Sequence, residues 1–412
     1  MKNWAGNLEF TAEDIACPAT VSELAAELTG ASKVRALGTR HSFNDIADSP
    51  TIVDMLSLGE HLELSADRTE ITVNASMTYG RLSELIAPLR FAVHNLASLP
   101  HISIGGAVST GTHGSGLGNG NLATAVRGVE MATSSGEVGR LALGDEGFPG
   151  VVVGLGALGV LTKVTLEIEP AFDVRQHVFD DLDQATFGEN LDAIMGSAYS
   201  VSGFTRWDGM VEQVWVKERV GADETLGDQF FGAKPALVDR HPIRELDAEA
   251  CTPQRGVAGL WSERLPHFKL DFTPSAGAEI QSEFFVPWAD AQPALDAIHA
   301  VGPRLTEALL ISEIRSVQGD DLWMSPHHDR DSLALHFTWG PDQAAAEAAA
   351  TLVGDVLAEF DARVHFGKVF APRHANLDSY DRLEDFLDLV KRFDQRGAFR
   401  NEWFDRIFGS AI

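Results

Sequence analysis

The sequence predicts an α+β protein of two domains. Its 412 residues correspond to about two to four domains at roughly 100–200 residues each. Helix and strand patterns alternate in the first part of the chain, and this character changes beyond about Pro170. From 279 to 369 the predicted order is strand, helix, strand, strand, helix, strand, the split-βαβ layout of an antiparallel sheet covered by helices on one face. We expect domains at 1–170, completed by 373–412, and at 171–372.

The N-terminal part contains short strands and helices. Thr20 to Glu23 resemble a capping box, and Leu24 and Leu28 share one face of the helix that follows. Further strands are predicted at 33–37, 52–53, 62–64 and 69–73, and a helix at 79–86 that ends before Pro88. The stretch 98–121 is rich in Gly, Ser, Thr, His and Asn and shows no periodicity. Loops this long in a compact domain are usually functional or disordered, and the apolar segments around this one favour function.

The second part is predicted to be richer in strands. We expect a helix at 180–198, strands within 207–220 and surface loop at 221–254. The elements of the split-βαβ unit are predicted at 279–286, 289–301, 308–317, 333–339, 341–360 and 363–369. The chain returns to helix at 381–393.

Charge and composition exclude several classes of protein. The formal net charge is −28, from 32 Lys and Arg against 60 Asp and Glu, so a nucleic-acid partner or an anionic membrane surface is not expected. Two cysteines cannot build a disulfide framework or a Cys-based zinc site, and no His-Glu-x-x-His pattern occurs, so no metal is expected. The first residues lack the apolar core of a signal peptide. We expect a soluble, cytoplasmic monomer.

Alternating side chains place a polar set on one face of the predicted sheet. Strand residues two apart share a face, so Glu313 lies beside Arg315, and His336 beside Thr338 on the neighbouring strand. If a second domain covers this face, it lines an interdomain cleft, where ligand sites are common. Lys368 and Gln281 are predicted on adjacent strands and extend the set: Gln281, Glu313, Arg315, His336, Thr338 and Lys368.

The alternative to a ligand-binding cleft is a sheet face exposed to solvent. The opposite face is apolar and suits contact with the covering helices, through Ile314, Leu335 and Phe337. Leu309 and Ile311 fall on the polar face, which is therefore not uniformly polar. Pairing of Glu313 with Arg315 or Lys368 is also compatible with a purely structural ion pair.

The glycine-rich segments differ in what they predict. Gly154, Gly156 and Gly159 match the dinucleotide fingerprint, but a β-branched, alternating segment follows where that fingerprint requires a helix. A nicotinamide site is therefore disfavoured. The loops 38–44 and 103–114 are rich in small residues, which expose backbone N–H groups for an anion. An ordinary polar turn is the alternative for each, but together they suit a pyrophosphate held by backbone groups.

Motifs along nearly the whole chain resemble the vanillyl-alcohol-oxidase-type family of flavoproteins, and within it the bacterial alditol (xylitol) oxidases. The resemblance is carried by the segments 3–7, 41–44, 97–103, 110–116, 156–160, 313–315, 336–339 and 367–370. It implies an N-terminal FAD-binding domain and a substrate domain with an antiparallel sheet, in agreement with the pattern of elements above.

The resemblance also implies how FAD is held. His41 matches the histidine that bonds covalently to the flavin. Family members often carry Gly immediately before that His, whereas this chain has Arg40. The positions similar to the family's FAD contacts are Ala36, Leu37, Gly38, Thr39, Arg40, His41, Ser42, Ser98, Ser103, Gly106, Thr110, Gly111, Thr112, His113, Val160 and His365.

The activity implied by the resemblance is oxidation of the terminal alcohol of a polyol such as xylitol or sorbitol, with O2 reduced to H2O2. Lys368, His336 and Arg315 match the catalytic positions. The expected substrate contacts are Ser98, Gln281, Glu313, Arg315, Thr338 and Lys368. Two alternatives remain: a sugar-lactone oxidase or dehydrogenase of the same fold, and a flavin- or nucleotide-binding protein without turnover.

Overall fold

The computed structural model describes residues 1–222, 229–272, 279–409 and 411. Its strands are β1 (Asp14–Ala16), β2 (Val34–Leu37), β3 (Thr51–Asp54), β4 (Leu62–Leu64), β5 (Glu70–Asn74), β6 (Phe91–Ala92), β7 (Val126–Ala132), β8 (Val138–Ala142), β9 (Val160–Glu167), β10 (Glu169–Pro170), β11 (Asp173–Asp183), β12 (Ser200–Thr205), β13 (Met210–Arg219), β14 (Lys234–Pro235), β15 (Gly259–Leu260), β16 (Ile280–Pro287), β17 (Leu309–Val317), β18 (Ser332–Trp339) and β19 (Arg363–Val364). Its α-helices are α1 (Val21–Gly30), α2 (Tyr79–Ile86), α3 (Ile104–Ser109), α4 (Phe148–Val152), α5 (Gln184–Glu189), α6 (Leu191–Met195), α7 (Ala291–Val301), α8 (Gln343–Leu357), α9 (Leu383–Phe393) and α10 (Glu402–Phe408). Together these elements confirm a mixed fold of helices and largely antiparallel sheets.

The N-terminal strands form small sheets. Strands β1, β3 and β2 form a parallel sheet, and β4, β5, β9, β7 and β8 form an antiparallel one. Strand β9 follows Gly159 directly and alternates buried and half-buried residues, as its β-branched pattern predicts. The segment after the glycines is therefore a strand, and the Rossmann arrangement is excluded at that point.

The large sheet contains the predicted split-βαβ unit. Its order β17-β18-β16-β19 is antiparallel throughout, and β12, β13 and β11 continue it beyond β17. Helices α7 and α8 pack against each other and against β16. Ile314, Leu335 and Phe337 are fully buried in the apolar core, while their sequence neighbours point the other way.

Several predicted elements differ from the structure. The aperiodic stretch 98–121 contains helix α3, whose short Ile-Gly-Gly-Ala-Val-Ser sequence is too small to show a helical period. The predicted helix 180–198 is wrong at its start, because β11 pairs with β13 as far as Asp183, which then caps α5 by accepting from the Thr186 N–H. Part of the predicted loop 221–254, residues 223–228, lies outside the described residues.

The strand predicted at 363–369 is also wrong beyond its second residue. After β19 the chain turns, with the His365 imidazole Nδ1 3.1 Å from the Gly367 N–H and the Lys368 N–H donating to the His365 carbonyl. A local side-chain hydrogen bond here competes with the ladder. Lys368 therefore lies in a loop beside β16, not on a strand.

Arg35 connects remote segments of the N-terminal part. It is buried, and its guanidinium donates to the carbonyls of Ile46, Leu155, Gly156 and Phe399 at 2.6–3.0 Å. Burial lowers its pKa to about 10, with Asp394 opposing the shift, so the side chain stays charged at pH 7. The C-terminal segment is thereby anchored to the loop that follows α4.

We expect Arg35→Met to lower the free energy of unfolding by about 3 kcal/mol or more, because buried carbonyls lose their donors. Urea unfolding followed by fluorescence measures the change. Arg255→Met is the control, since Arg255 is exposed and its ion pair is with exposed Asp239; it should change stability by about 0.5 kcal/mol or less. Equal effects of the two variants would contradict the connecting role of Arg35.

Among the described residues, no helix combines the length and apolar character needed to cross a bilayer.

Candidate active site

A cavity of about 300 Å³ lies between the N-terminal loops and one face of the large sheet. The loops 36–43 and 102–113 form one wall. The opposite wall consists of side chains from β16, β17 and β18 and from the loop after β19. The cleft predicted from strand alternation is therefore present, and the polar face is not open to bulk solvent.

The first wall exposes backbone donors. The N–H groups of 39–42 donate to no group in the described part of the chain. The two loops touch closely: Thr39 Oγ1 accepts from the Ser103 N–H at 3.1 Å, and a Cβ on Gly38 would stand 2.3 Å from Ser103 Oγ. Any larger residue at 38 would force the Ser103 side chain to move. The arrangement suits a phosphate-bearing ligand held by backbone groups.

The imidazole of His41 is fixed at the edge of this wall. It stacks on Trp4, with ring centroids 5.1 Å apart, and its Nδ1 lies 3.0 Å from Thr39 Oγ1. Its Nε2 is buried and has no hydrogen-bond partner among the described residues. Burial, followed by the charges of His101 and Arg40, lowers the pKa of His41 to about 4. The ring is therefore neutral at pH 7, with an unpaired nitrogen in the cavity wall.

Arg40, which stands where the family often has Gly, adopts a φ of 63°. This left-handed conformation costs a residue with a Cβ roughly 1–2 kcal/mol. The backbone conformation that favours Gly is thus kept although the residue differs, and the adjacent His41 retains its position.

Strand register brings the polar side chains of the second wall together. Glu283, His336 and Glu313 are direct neighbours across β16, β18 and β17. Gln281 and Thr338 form the next row on the same face. Gln281, Glu313, His336 and Thr338 share this face, as the alternation in the sequence predicts.

Glu283 is the centre of a buried charge cluster. Its carboxylate lies 2.8 Å from Lys368 Nζ, 3.0 Å from an Arg315 nitrogen and 3.2 Å from His113 Nε2. Burial alone raises its pKa, but the surrounding charges of Lys368, His113 and Arg315 outweigh burial and hold the pKa well below the usual range. Glu283 is therefore ionised and neutralises the cations around it.

Lys368, His336 and Thr338 are connected by two successive hydrogen bonds. Lys368 Nζ donates to His336 Nδ1 at 2.8 Å, and His336 Nε2 lies 3.2 Å from Thr338 Oγ1. Burial, then the charge of Lys368, lowers the pKa of His336 to about 4, so the ring is neutral. With Nδ1 accepting, its proton is on Nε2 and is donated to Thr338. The hydroxyl hydrogen of Thr338 is then free for a ligand.

Burial also lowers the pKa of Lys368, and the charge of Glu283 opposes that shift. An amine whose pKa is reduced takes and releases protons more readily near neutral pH. The arrangement can thus bind several hydroxyl groups and accept one proton.

Most of the predicted site residues line the cavity. These are Ala36, Leu37, Gly38, Thr39, Arg40, His41, Ser42, Ser98, Ser103, Gly106, Thr110, Thr112, His113, Gln281, Glu313, Arg315, His336, Thr338, His365 and Lys368. Two predicted cofactor contacts, Val160 and Gly111, do not line the cavity. Val160 points into the apolar core, and its strand neighbour Leu161 lines the cavity instead. Gly111 has a φ of 65°, and a Cβ there would stand 3.0 Å from Pro326. Its role is therefore to allow the chain to turn at this point.

Sequence reasoning missed three groups: Glu283, His267 and Lys217. Glu283 follows Gln281 by two residues on a predicted strand, so the same alternation points to it. His267 lies in an irregular segment and reaches Glu313 Oε1 at 2.7 Å. Lys217 lies on β13, behind His267 and outside the cavity lining. No local pattern reveals the last two.

Two family models match the chain. A model of FAD binding domains matches residues 12–142, which include both glycine-rich loops. A model described as D-arabinono-1,4-lactone oxidase matches residues 278–407, which include the polar strands and the C-terminal segment.

Similar proteins cover almost the full length. An alditol oxidase of Streptomyces sp. is 42% identical over 405 residues, spanning 97% of this chain and 96% of the relative. An L-gulono-1,4-lactone dehydrogenase of Mycobacterium tuberculosis is 26% identical over 427 residues, spanning 99% and 98%. A crystal structure of cholesterol oxidase from B. sterolicum superposes with a TM-score of 0.76 at 14% identity, covering 98% of this chain and 96% of that chain. The last likeness shows that this chain shares the fold of that cholesterol oxidase.

The residues on the first wall fit FAD. The unpaired N–H groups of 39–42 suit its pyrophosphate, and Gly38 allows the two loops to approach each other closely. The buried, unpartnered Nε2 of His41 lies in the same wall. With this fit and a relative at 42% identity over nearly the whole chain, the protein belongs to the vanillyl-alcohol-oxidase-type family of FAD-dependent oxidoreductases.

Proposed function

We propose that this enzyme oxidises the terminal primary alcohol of alditols such as xylitol and sorbitol to the aldose, with O2 reduced to H2O2. The observation that carries the proposal is the second wall of the cavity, where Glu313, Arg315, Thr338 and Lys368 converge opposite the cofactor loops. Buried hydroxyls of a polyol each need a partner, at a cost of about 1–3 kcal/mol when left unpaired. This wall provides both acceptors and donors, and the Streptomyces relative is named an alditol oxidase.

Binding of the polyol uses the ends of the polar face. Glu313 supplies a carboxylate acceptor and Arg315 a forked donor for neighbouring hydroxyls. Burial raises the pKa of Glu313, but Arg315 and His267 outweigh it and keep the carboxylate ionised. Gln281, whose amide donates to Glu279 at 2.8 Å, is the direct neighbour of Thr338 across β16 and β18 and provides a further polar group for the polyol.

Chemistry takes place at the terminal carbinol. A bound FAD would supply the acceptor for the hydride of the carbinol carbon and the route for its two electrons to O2, which with two protons becomes H2O2. Lys368 Nζ takes the hydroxyl proton as the C=O bond forms. Thr338 and Ser98 orient that hydroxyl, and His336 fixes the orientation of Thr338 through its Nε2–H.

The proposal is tested by a panel of polyols and lactones with peroxide detection. We expect xylitol and sorbitol to bleach the flavin absorbance without O2, and to release H2O2 with O2 present. A sugar-lactone oxidase or dehydrogenase is the second candidate, favoured by the lactone oxidase model over 278–407 and by the Mycobacterium relative. Bleaching by aldonolactone precursors but not by polyols would establish that candidate, and no bleaching by any of them would point to a binding protein without turnover.

We further propose that FAD is attached covalently through His41, and expect His41→Ala to abolish the attachment. The supporting observation is the neutral, buried ring with an unpartnered nitrogen at the cavity wall. Flavin fluorescence should remain with the denatured wild-type polypeptide and be absent from the denatured variant. His101→Ala is the control, since His101 is nearby but lies outside the cavity lining, and it should keep the attachment. Fluorescent, denatured His41→Ala protein would refute the assignment.

A further inference from the structure

Lys217 is a buried amine that the proposed chemistry does not use. Burial lowers its pKa to about 7, and the charge of Glu313 opposes that shift. It lies on β13 with 1% of its surface exposed. Its Nζ contacts three acceptors: the Leu265 carbonyl, the Pro266 carbonyl at 3.3 Å and His267 Nδ1 at 3.0 Å. Three acceptors match the three N–H donors of an ammonium group. A lysine buried this completely requires hydrogen-bond acceptors such as these. Because one of them is His267, we ask what Lys217 does to that ring.

His267 connects Lys217 to Glu313, which lines the cavity. Its ring is held edge-on between Trp215 and Phe204, with centroids 5.0 and 5.7 Å away, and its Nε2 lies 2.7 Å from Glu313 Oε1. Burial, then the charge of Lys217, lowers the pKa of His267 to about 4, so the ring holds a single proton at pH 7. Because Nδ1 accepts from Lys217, that proton is on Nε2 and is donated to Glu313.

Glu313 is left with one oxygen for a ligand. Oε1 receives His267 and lies 3.4 Å from Arg315 Nε. No hydrogen bond from the described residues reaches Oε2, and Glu313 lines the cavity. In the opposite tautomer, the lone pair of His267 Nε2 would face the Glu313 carboxylate. The two groups would repel each other, and the Glu313 side chain could rotate away.

We propose that Lys217 and His267 are positioning residues for Glu313: Lys217 fixes the tautomer of His267, and His267 occupies Oε1 so that Oε2 accepts a hydroxyl group of the polyol. This inference rests on the proposed function. The Lys368–His336–Thr338 contacts follow the same principle at the reactive end, so the sheet face carries two lysine–histidine pairs, one for each end of the ligand.

The first test separates binding from chemistry. We expect Lys217→Met to raise KM for xylitol about tenfold and to change kcat by about twofold or less, because Glu313 binds the ground state and the transition state alike. His267→Phe should behave in the same way. His267→Gln should restore KM to about the wild-type value, since its amide has an acceptor for Lys217 and a donor for Glu313. Lys163→Met, which removes a lysine paired with Glu130 on the N-terminal sheet, is the control and should leave KM unchanged.

The second test needs no turnover. In protein labelled with ¹⁵N-histidine, His267 at pH 6 should show a protonated Nε2 and an unprotonated Nδ1, and Lys217→Met should convert part of that signal to the other tautomer. The His267→Gln variant identifies the resonance by its loss.

The outcomes distinguish the two proposals. If the wild-type enzyme oxidises xylitol and Lys217→Met leaves both KM and the tautomer unchanged, the positioning role is wrong. A kcat that falls while KM stays constant also overturns it. If the wild-type enzyme oxidises no polyol, the proposed function fails, and the NMR signal still decides whether Lys217 fixes the tautomer.

Discussion

Lys368→Met is expected to reduce the rate of flavin reduction by xylitol by about 10²-fold or more. The substitution keeps most of the side-chain volume but removes the group that takes the hydroxyl proton, and a positioned acid or base contributes typically about 10²–10⁴-fold. Anaerobic stopped-flow absorbance measures the rate directly. Lys391→Met, an exposed lysine on α9, is the control and should reduce its flavin at the wild-type rate.

The pH profile tests the same role independently. Lys368 accepts a proton only when it is unprotonated, so kcat/KM should rise with pH. Because burial lowers the pKa of Lys368 from 10.5, the rise should be centred below pH 10.5. In the Lys368→Met variant, this rising limb of the pH profile of kcat/KM should be absent. An unchanged rate of flavin reduction in Lys368→Met, or a profile that keeps the limb, would assign the proton to another group.

Glu283→Gln is expected to lower the free energy of unfolding at pH 7 by about 3–5 kcal/mol, the usual effect of removing one partner of a buried ion pair. The amide leaves Lys368 and Arg315 buried without their carboxylate. Since the pKa of Glu283 is depressed in the folded protein, its contribution is present above the unfolded value near 4.5 and is lost as the pH falls below it. Urea unfolding at pH 7 should therefore separate wild type and variant more than unfolding at pH 3.5.

The same variant also changes catalysis in a specific way. Glu283 raises the pKa of Lys368, so its removal should shift the rising limb of kcat/KM to lower pH. Glu212→Gln is the matched control: Glu212 is buried on the same sheet near Arg206 and Arg244 but does not line the cavity. Glu212→Gln should change the free energy of unfolding but leave the pH at which kcat/KM rises unchanged. A Glu283→Gln enzyme with wild-type stability and an unshifted limb would show that the charge cluster has neither role.

Periodicity in the sequence was sufficient for the scaffold of the site. Strands β16, β17 and β18 are long, apolar on one face and alternating, so their side-chain period of two determines which residues point into the cavity. Glu313, Arg315, His336 and Thr338 lie where that period places them. The segment around Lys368 was predicted incorrectly as a strand, because its composition favours a strand while the His365 imidazole forms a local turn.

The sequence by itself determined the α+β class, the split-βαβ unit, the two glycine-rich loops and the polar face, because each depends on residues close together in the chain. Only the tertiary structure decided which polar groups meet: the partners of Glu283 come from β17, from the loop after β19 and from the loop at His113. It alone placed Lys217 behind His267. Local patterns fix the direction of a side chain, whereas its partners, its pKa and its tautomer depend on desolvation and on groups that folding brings from distant parts of the chain.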